Sequence, residues 1–290
     1  MDKKIAVALL ILLASFGILY RNVVVDLVND WSKDGNYSHG FLIVPLALYF
    51  AWERRQRFLA AAQRPAKMGI IAVLVAILVT IQDMHPFVNR MAMLMCLAGG
   101  LLFLAGWARL KVMAFPILFL LLMIPIPAII FNQIAFPLQL VASRFGEWAM
   151  ATCQVPVLRE GNVIVLANTS LEVAEACSGI RSLISLLTLG IVYGYFTESR
   201  LWVRFMLALA TVPIAIVANA LRVAGTGLAA HYGGPETAQG FFHSFSGWLV
   251  FLVAFAFLFV FHKLLLAVAP ARFTASPAGV ETVGASRDSA

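Results

Sequence analysis

Long apolar runs alternate with short polar ones along almost the whole chain. Apolar blocks occupy residues 5–20, 40–52, 68–82, 91–107, 112–130, 179–196, 203–222 and 243–266. A helix needs about 20 mostly apolar residues to cross a bilayer core, so each block predicts a span, the second one short and ended by Trp52. Pro125 and Pro127 should kink or end the fifth block. Residues 132–153 depart from the pattern. Gln139, Ser143 and Glu147 recur there at four-residue spacing, while Phe136, Leu140 and Phe145 lie elsewhere around the helix. That spacing predicts an amphipathic helix lying at the outer interface rather than a crossing. Residues 155–175 are β-branched, with Glu160, Gly161 and Asn162 between two apolar runs, and predict a small hairpin. The expected fold is an all-α polytopic membrane protein of eight transmembrane helices, plus the interfacial helix and an extracytoplasmic hairpin. Residues 1–268 form one transmembrane domain in this reading. Residues 269–290, rich in Ala, Ser, Gly and Pro, form a disordered cytoplasmic tail. There is no internal repeat.

Composition agrees with the pattern. Of 290 residues, 62% are hydrophobic and 12% charged, against about 25% charged in an ordinary soluble domain. The net charge of +7 would suggest nucleic acid in a soluble chain. Here the basic residues sit in short loops, where topology and anionic lipid headgroups account for them and no nucleic-acid partner is implied. Arg54, Arg55, Arg57, Arg64 and Lys67 make the loop after the second block the most basic, hence cytoplasmic. The N-terminus is then cytoplasmic and residues 21–38 lie outside, as does the turn holding Asp83, His85, Pro86 and Asn89. Leaving 132–153 uncrossed keeps every basic loop inside; a crossing there would put Arg200 and Arg204 outside. Lys3 and Lys4 precede the first block without a small-residue cleavage site, so it reads as a first span. Cys96, Cys153 and Cys177 give neither a disulfide framework nor paired metal spacing, and no metal or cofactor is expected.

This topology carries three polar features to one membrane face. Cys177, in EVAEACSGIRS, opens the sixth span, with Glu175 just before it and Arg181 one helical turn after it. A thiol at a helix N-terminus beside a guanidinium favours the thiolate. Asn219 and Arg222 end the seventh span, and His243 opens the eighth. Together they suffice for acyl transfer: a cysteine nucleophile, a histidine to move its proton and an arginine to hold the oxyanion. Blander readings stand beside this one. Cys177 alone reads as a buried structural thiol, or as a disulfide partner of Cys153 in an oxidising compartment. Arg222 could snorkel to headgroups. A lone histidine at a span end, such as His262, reads as interfacial. Tyr37 and His39, in YSHG, fit a turn and helix cap as well as a substrate contact. Cys96 reads as core.

EACSGIRS around Cys177, NALRV around Arg222 and FFHSFSGW around His243 closely resemble the signature motifs of exosortases, relatives of the archaeosortases. YSHG at 37–40 and the REGNVI segment look similar to that family too, so the resemblance covers most of residues 30–265. It implies a Cys–Arg–His transpeptidase of the bacterial inner membrane, its active site facing the periplasm. The implied partners are exported proteins bearing a C-terminal sorting tail: a Pro-Glu-Pro motif, a transmembrane helix and a basic cluster. The acceptor is left open. The resemblance makes Cys177 the nucleophile, Arg222 the anion stabiliser and His243 the proton-transfer residue, with Arg181 another motif arginine. Some relatives carry an added C-terminal soluble domain, and this sequence runs only to Ala290.

A transporter or scaffold for polysaccharide export is the competing class, and a thiol protease that only hydrolyses is another. Ionisable residues gathered at one face, without repeats, favour the enzyme. The basic loops generate a test. Reporter fusions after residues 60 and 200 should report the cytoplasm and a fusion near residue 232 the outside. The same side at 200 and 232 would dismantle the assembled site.

Overall fold

The computed structural model describes residues 3–167, 170–172, 180–234 and 241–268, with side chains described except at 3–6, 8–9, 171–172, 180–181 and 241–246. The described residues are helical nearly throughout, and the all-α membrane class holds. The count of eight spans does not. Among the described residues four helices are long and apolar enough to cross a membrane: Pro86–Ala105, Ala128–Thr152, Leu201–Gly233 and Gly247–Val268. A fifth arises if the pair Leu10–Leu19 and Arg21–Lys33, bent by 60°, is one broken span. The blocks at 40–53, 68–82 and 182–197 form apolar helices, shorter than these. The fifth block is divided.

Helix α1 (Lys3–Leu19) meets α2 (Arg21–Lys33) at the fully buried Tyr20. Helix α2 was expected as a polar connection. Its buried residues, Val23, Leu27 and Trp31, recur every fourth position and give it an apolar face to lay on the protein. Helix α3 (Gly40–Glu53), the short α4 (Arg55–Ala60), α5 (Met68–Gln82) and α6 (Pro86–Ala105) follow. Gly106, with φ +86°, separates α6 from α7 (Trp107–Phe119). A 3-10 turn at Leu120–Met123 and the stretch through Pro125 and Pro127 end that block, as the prolines required.

Breaking a helix releases backbone groups that apolar surroundings cannot satisfy. Here residues 31–40 take them up. The Trp31 indole N–H donates to the Met123 carbonyl at 2.9 Å. The His39 ring bonds the Leu122 carbonyl through Nε2 at 3.1 Å. The Tyr37 hydroxyl accepts from the Ile126 N–H at 3.2 Å and donates to the Ile126 carbonyl at 3.4 Å. Gly40 lies against the Trp31 ring, where a Cβ would come within 2.3 Å of the indole nitrogen. Burial lowers the His39 pKa below its ordinary 6.5, against the opposing pull of the Leu122 and Asn36 carbonyls. The YSHG stretch is thus a turn and helix start that also clamps a broken helix.

Helix α8 (Ala128–Thr152) begins four residues before the expected interfacial helix, and its polarity runs the other way. Gln139 and Ser143, on the polar stripe, are buried with Phe131, Ala135, Ala142, Gly146 and Met150. The exposed side is mostly apolar, with Ile129, Ile134, Phe136, Val141, Phe145 and Trp148, and carries Asn132, Gln133 and Arg144 as well. Water at the interface would draw the polar stripe outward. Here the hairpin binds it instead, and a mostly apolar side faces away from the protein.

Helices α9 (Ile180–Thr197), α10 (Leu201–Gly233) and α11 (Phe241–Val268) form the remaining bundle. Two of them match expectation closely. Helix α10 runs eleven residues past the expected end at 222, through a stretch read as loop. At 1.5 Å per residue its 33 residues reach about 50 Å, well beyond a bilayer core of about 30 Å. Val223, Ala224, Gly227 and Ala230 are buried along the added part, so packing overrides the weak helix propensity of its glycines.

The clamp generates a stability prediction. Trp31→Phe keeps an aromatic ring but leaves the buried Met123 carbonyl unpaired, costing about 1–3 kcal/mol. Thermal unfolding in detergent should show the loss, and an unchanged melting temperature would mean the bond contributes nothing.

Candidate active site

The hairpin was legible in the sequence. Strand β1 (Val157–Glu160) pairs antiparallel with β2 (Val163–Leu166), Glu160 opposite Val163, across the turn at Gly161 and Asn162. Gly161 has φ +65° and Asn162 is not among the positive-φ residues, the pattern of a type II′ turn. A third strand, β3 (Ser170–Glu172), adds to the far side of β2.

The sheet docks on α8 through the polar stripe. Ser143 Oγ donates to the Gly161 carbonyl at 3.0 Å. Asn162 Nδ2 donates to Gln139 Oε1 at 3.3 Å. Arg159 Nε meets Glu147 Oε2 at 2.9 Å, and its Nη1 returns to the Gly161 carbonyl at 2.8 Å. Beneath these bonds Ile164 and Leu166 pack with Ala142, Met150 and Val223. The helices come close because both carry glycine at the contact. A Cβ on Gly146 would lie 2.7 Å from Val223, and one on Gly227 would lie 2.2 Å from the Met150 sulfur. Four-residue polar spacing was visible in the sequence, but its partner, the hairpin turn, was not.

Three helices share one end with this platform. Helices α9 and α10 are antiparallel across a three-residue connection, with Gly194 beside Arg204, Gly190 beside Thr211, and Leu186 clustered with Ala215 and Ala218. Following that pairing, the start of α9 lies level with residues 218–222 of α10. Val250 and Ala254 of α11 join the same cluster. Asn219 is buried, 2% exposed, and Arg222 is half-buried. The Arg222 guanidinium lies over Gly247, where a Cβ would stand 3.7 Å from Nη2 and 4.0 Å from Cζ. Residue 243 precedes Gly247 by one helical turn. Cys177 and Glu175 fall in 173–179, outside the described residues, as do the side chains of Arg181 and His243. That seven-residue segment joins β3 to α9, and the residue following Arg222, Val223, packs on the sheet.

The family profile of transmembrane exosortases (Exosortase_EpsH) matches residues 31–260. The chain belongs to the exosortase family. Its matched region starts at Trp31, the first residue of the clamp, and ends in α11, so it takes in the clamp, the hairpin and all three motif positions. No curated relative and no solved structure matches the chain.

The other candidate residues of this exosortase-family chain resolve differently. Tyr37 and His39 bond the 122–126 segment. His262, read as interfacial, is buried at the far end of the bundle, where Tyr193 meets its Nδ1 at 2.8 Å and Glu198 its Nε2 at 3.3 Å. Arg204 Nε donates to the Glu198 carbonyl at 2.6 Å and ties the α9–α10 connection there. Cys153 is a free, exposed thiol, and Cys96 is free and partly buried beside the core. Among the described residues no group of three His, Cys, Asp or Glu is placed to hold a metal.

Docking of the hairpin is testable apart from any activity. Ser143→Ala removes the bond to Gly161, and loss of about 1 kcal/mol there should speed amide exchange in 157–166 several-fold. Exchange in α9 serves as the internal reference. Equal protection in the variant would show that the turn is held by packing alone.

Proposed function

We propose that this chain is a membrane-embedded cysteine transpeptidase that cleaves the C-terminal sorting tails of exported proteins, of Pro-Glu-Pro type, and transfers them to an acceptor. The observation that carries the reading is the meeting of α9, α10 and α11 at one end of the bundle, with the hairpin sheet packed on α10 beside Arg222, because these elements bear or border all three motif positions. Membership of the exosortase family supports it.

In this reading the Cys177 sulfur attacks the scissile carbonyl while His243 takes the thiol proton. Arg222 stabilises the oxyanion, its guanidinium already held at the end of α11. Collapse of the tetrahedral intermediate breaks the C–N bond, and His243 returns the proton to the leaving amine. The product is a thioester on Cys177, released by the acceptor's nucleophile or by water. Arg181, at the start of α9, would favour the thiolate. Glu175 and Asn219 would orient these groups, and Tyr37 and His39 would act at a distance by holding the chain that leads into α8. The reading places the chain in the bacterial inner membrane as one domain over residues 1–268, among lipids and tailed substrates, with the site on the periplasmic side and no cofactor.

The test is processing of a tailed substrate in cells with each variant at equal membrane abundance. Cys177→Ala should abolish processing, and Cys177→Ser should be nearly as inactive, since a hydroxyl demands a stronger base than a thiol of pKa about 8.5. Arg222→Lys keeps the charge but loses the planar fork, so it should be badly impaired. His243→Ala should slow acyl-enzyme formation more than binding. Full activity in Cys177→Ala would overturn the enzyme and leave the transporter or scaffold class standing.

A further inference from the structure

A second polar site lies away from the candidate active site, where the bend between α1 and α2 meets the turn between α5 and α6. A cavity of ≈ 420 Å³ opens there, lined by Asn22, Asp26, Thr80, Asp83, Asn89 and Arg90 among others. That volume falls in the range of small-ligand sites.

Its charges do not cancel. Arg90, 6% exposed, pairs with Asp30 at 2.6 Å, which neutralises the cavity's basic group. Asp26 and Asp83 then remain as surplus carboxylates on an exposed rim. Asn89 supplies the decisive observation. It is 5% exposed, and its Nδ2 donates to Asp83 Oδ1 at 2.5 Å, which fixes the orientation of the amide. Its Oδ1 is thereby an acceptor, and it is buried with no partner. A buried acceptor without a donor carries a desolvation cost of about 1–3 kcal/mol that a bound donor would remove. The backbone nearby is unusual too: Asp83 sits at φ 44°, in the left-handed region.

Two carboxylates and the Asn89 amide line this one cavity, and suit a cation that brings its own N–H donors. A third anionic ligand, which a divalent metal would call for, is missing. A quaternary ammonium has no N–H to give and prefers aromatic cages, and the cavity lining has no aromatic residue. We propose that this cavity binds a primary ammonium group, and that its natural source is an aminophospholipid headgroup. The surroundings argue for lipid. The apolar runs of α1 and α5 stop here, and the exposed Ile18, Ile81 and Met84 flank the lining residues Leu19, Thr80 and Asp83 in sequence. Acyl chains could lie on those side chains while the headgroup enters between the helices.

The purified full-length protein, loaded with dioleoyl phosphatidylethanolamine or dioleoyl phosphatidylcholine and weighed by native mass spectrometry, tests this. Wild type should retain the ethanolamine lipid about tenfold more than the choline lipid, the value of one charge-assisted hydrogen bond. Asp26→Asn removes one acceptor charge without touching the Asp83–Asn89 bond, and should cut that preference several-fold at unchanged melting temperature. Asp83→Asn should do the same, and guards against a local effect at Asp26. Free ethanolamine separates the sources: competition assigns the site to primary amines in general, and its failure assigns the site to the lipid. Equal retention of the two lipids, or a preference unchanged in both variants, would overturn the proposal.

Discussion

Buried polar groups in an apolar surrounding must find partners within the protein, and this constraint shapes each departure from simple spanning helices. It acts at two places that lead toward the candidate site. After α7, the freed groups of residues 122, 123 and 126 are met by His39, Trp31 and Tyr37. Along α8, Gln139, Ser143 and Glu147 are met by Asn162, Gly161 and Arg159. The first contact sets where α8 begins. The second holds the hairpin from which the chain runs through Cys177 into α9.

The two ends of the α9–α11 bundle are built differently. At the connection between α9 and α10, His262, Tyr193, Glu198 and Arg204 close a network of side-chain and backbone bonds. At the other end a guanidinium lies beside a glycine, next to the sheet and a helix start. The tied end keeps the supporting helices in place. The α8–α10 glycine contacts serve the same purpose, because close helix approach leaves the sheet resting on a rigid base.

Polarity along a helix has opposite meanings in water and beside lipid. The four-residue polar spacing of α8 is the same fact under both readings, and periodicity alone cannot say which side the protein takes. Contacts 18 and 23 residues apart in sequence, Ser143 with Gly161 and Gln139 with Asn162, decide it. The same logic explains α10. Gly227 after Arg222 looks like the end of a span, yet Gly227 and Gly146 are what allow Met150 and Val223 to interleave there.

From the sequence alone followed the all-α membrane class, the hairpin with its Gly161 turn, the proline break near 125 and the boundaries of α9 and α11 to within a few residues. These depend on local hydropathy, turn chemistry and the missing proline N–H, all properties of neighbouring residues. The motif positions were legible as residue types at the ends of apolar runs. Only the tertiary structure decided that α8 turns its polar stripe inward, that α10 continues to Gly233, and that Tyr37 and His39 serve a clamp while His262 is buried. It also set the Arg222 guanidinium against Gly247. Each of these rests on a partner remote in sequence, so the energy that selects it exists only once the chain has packed.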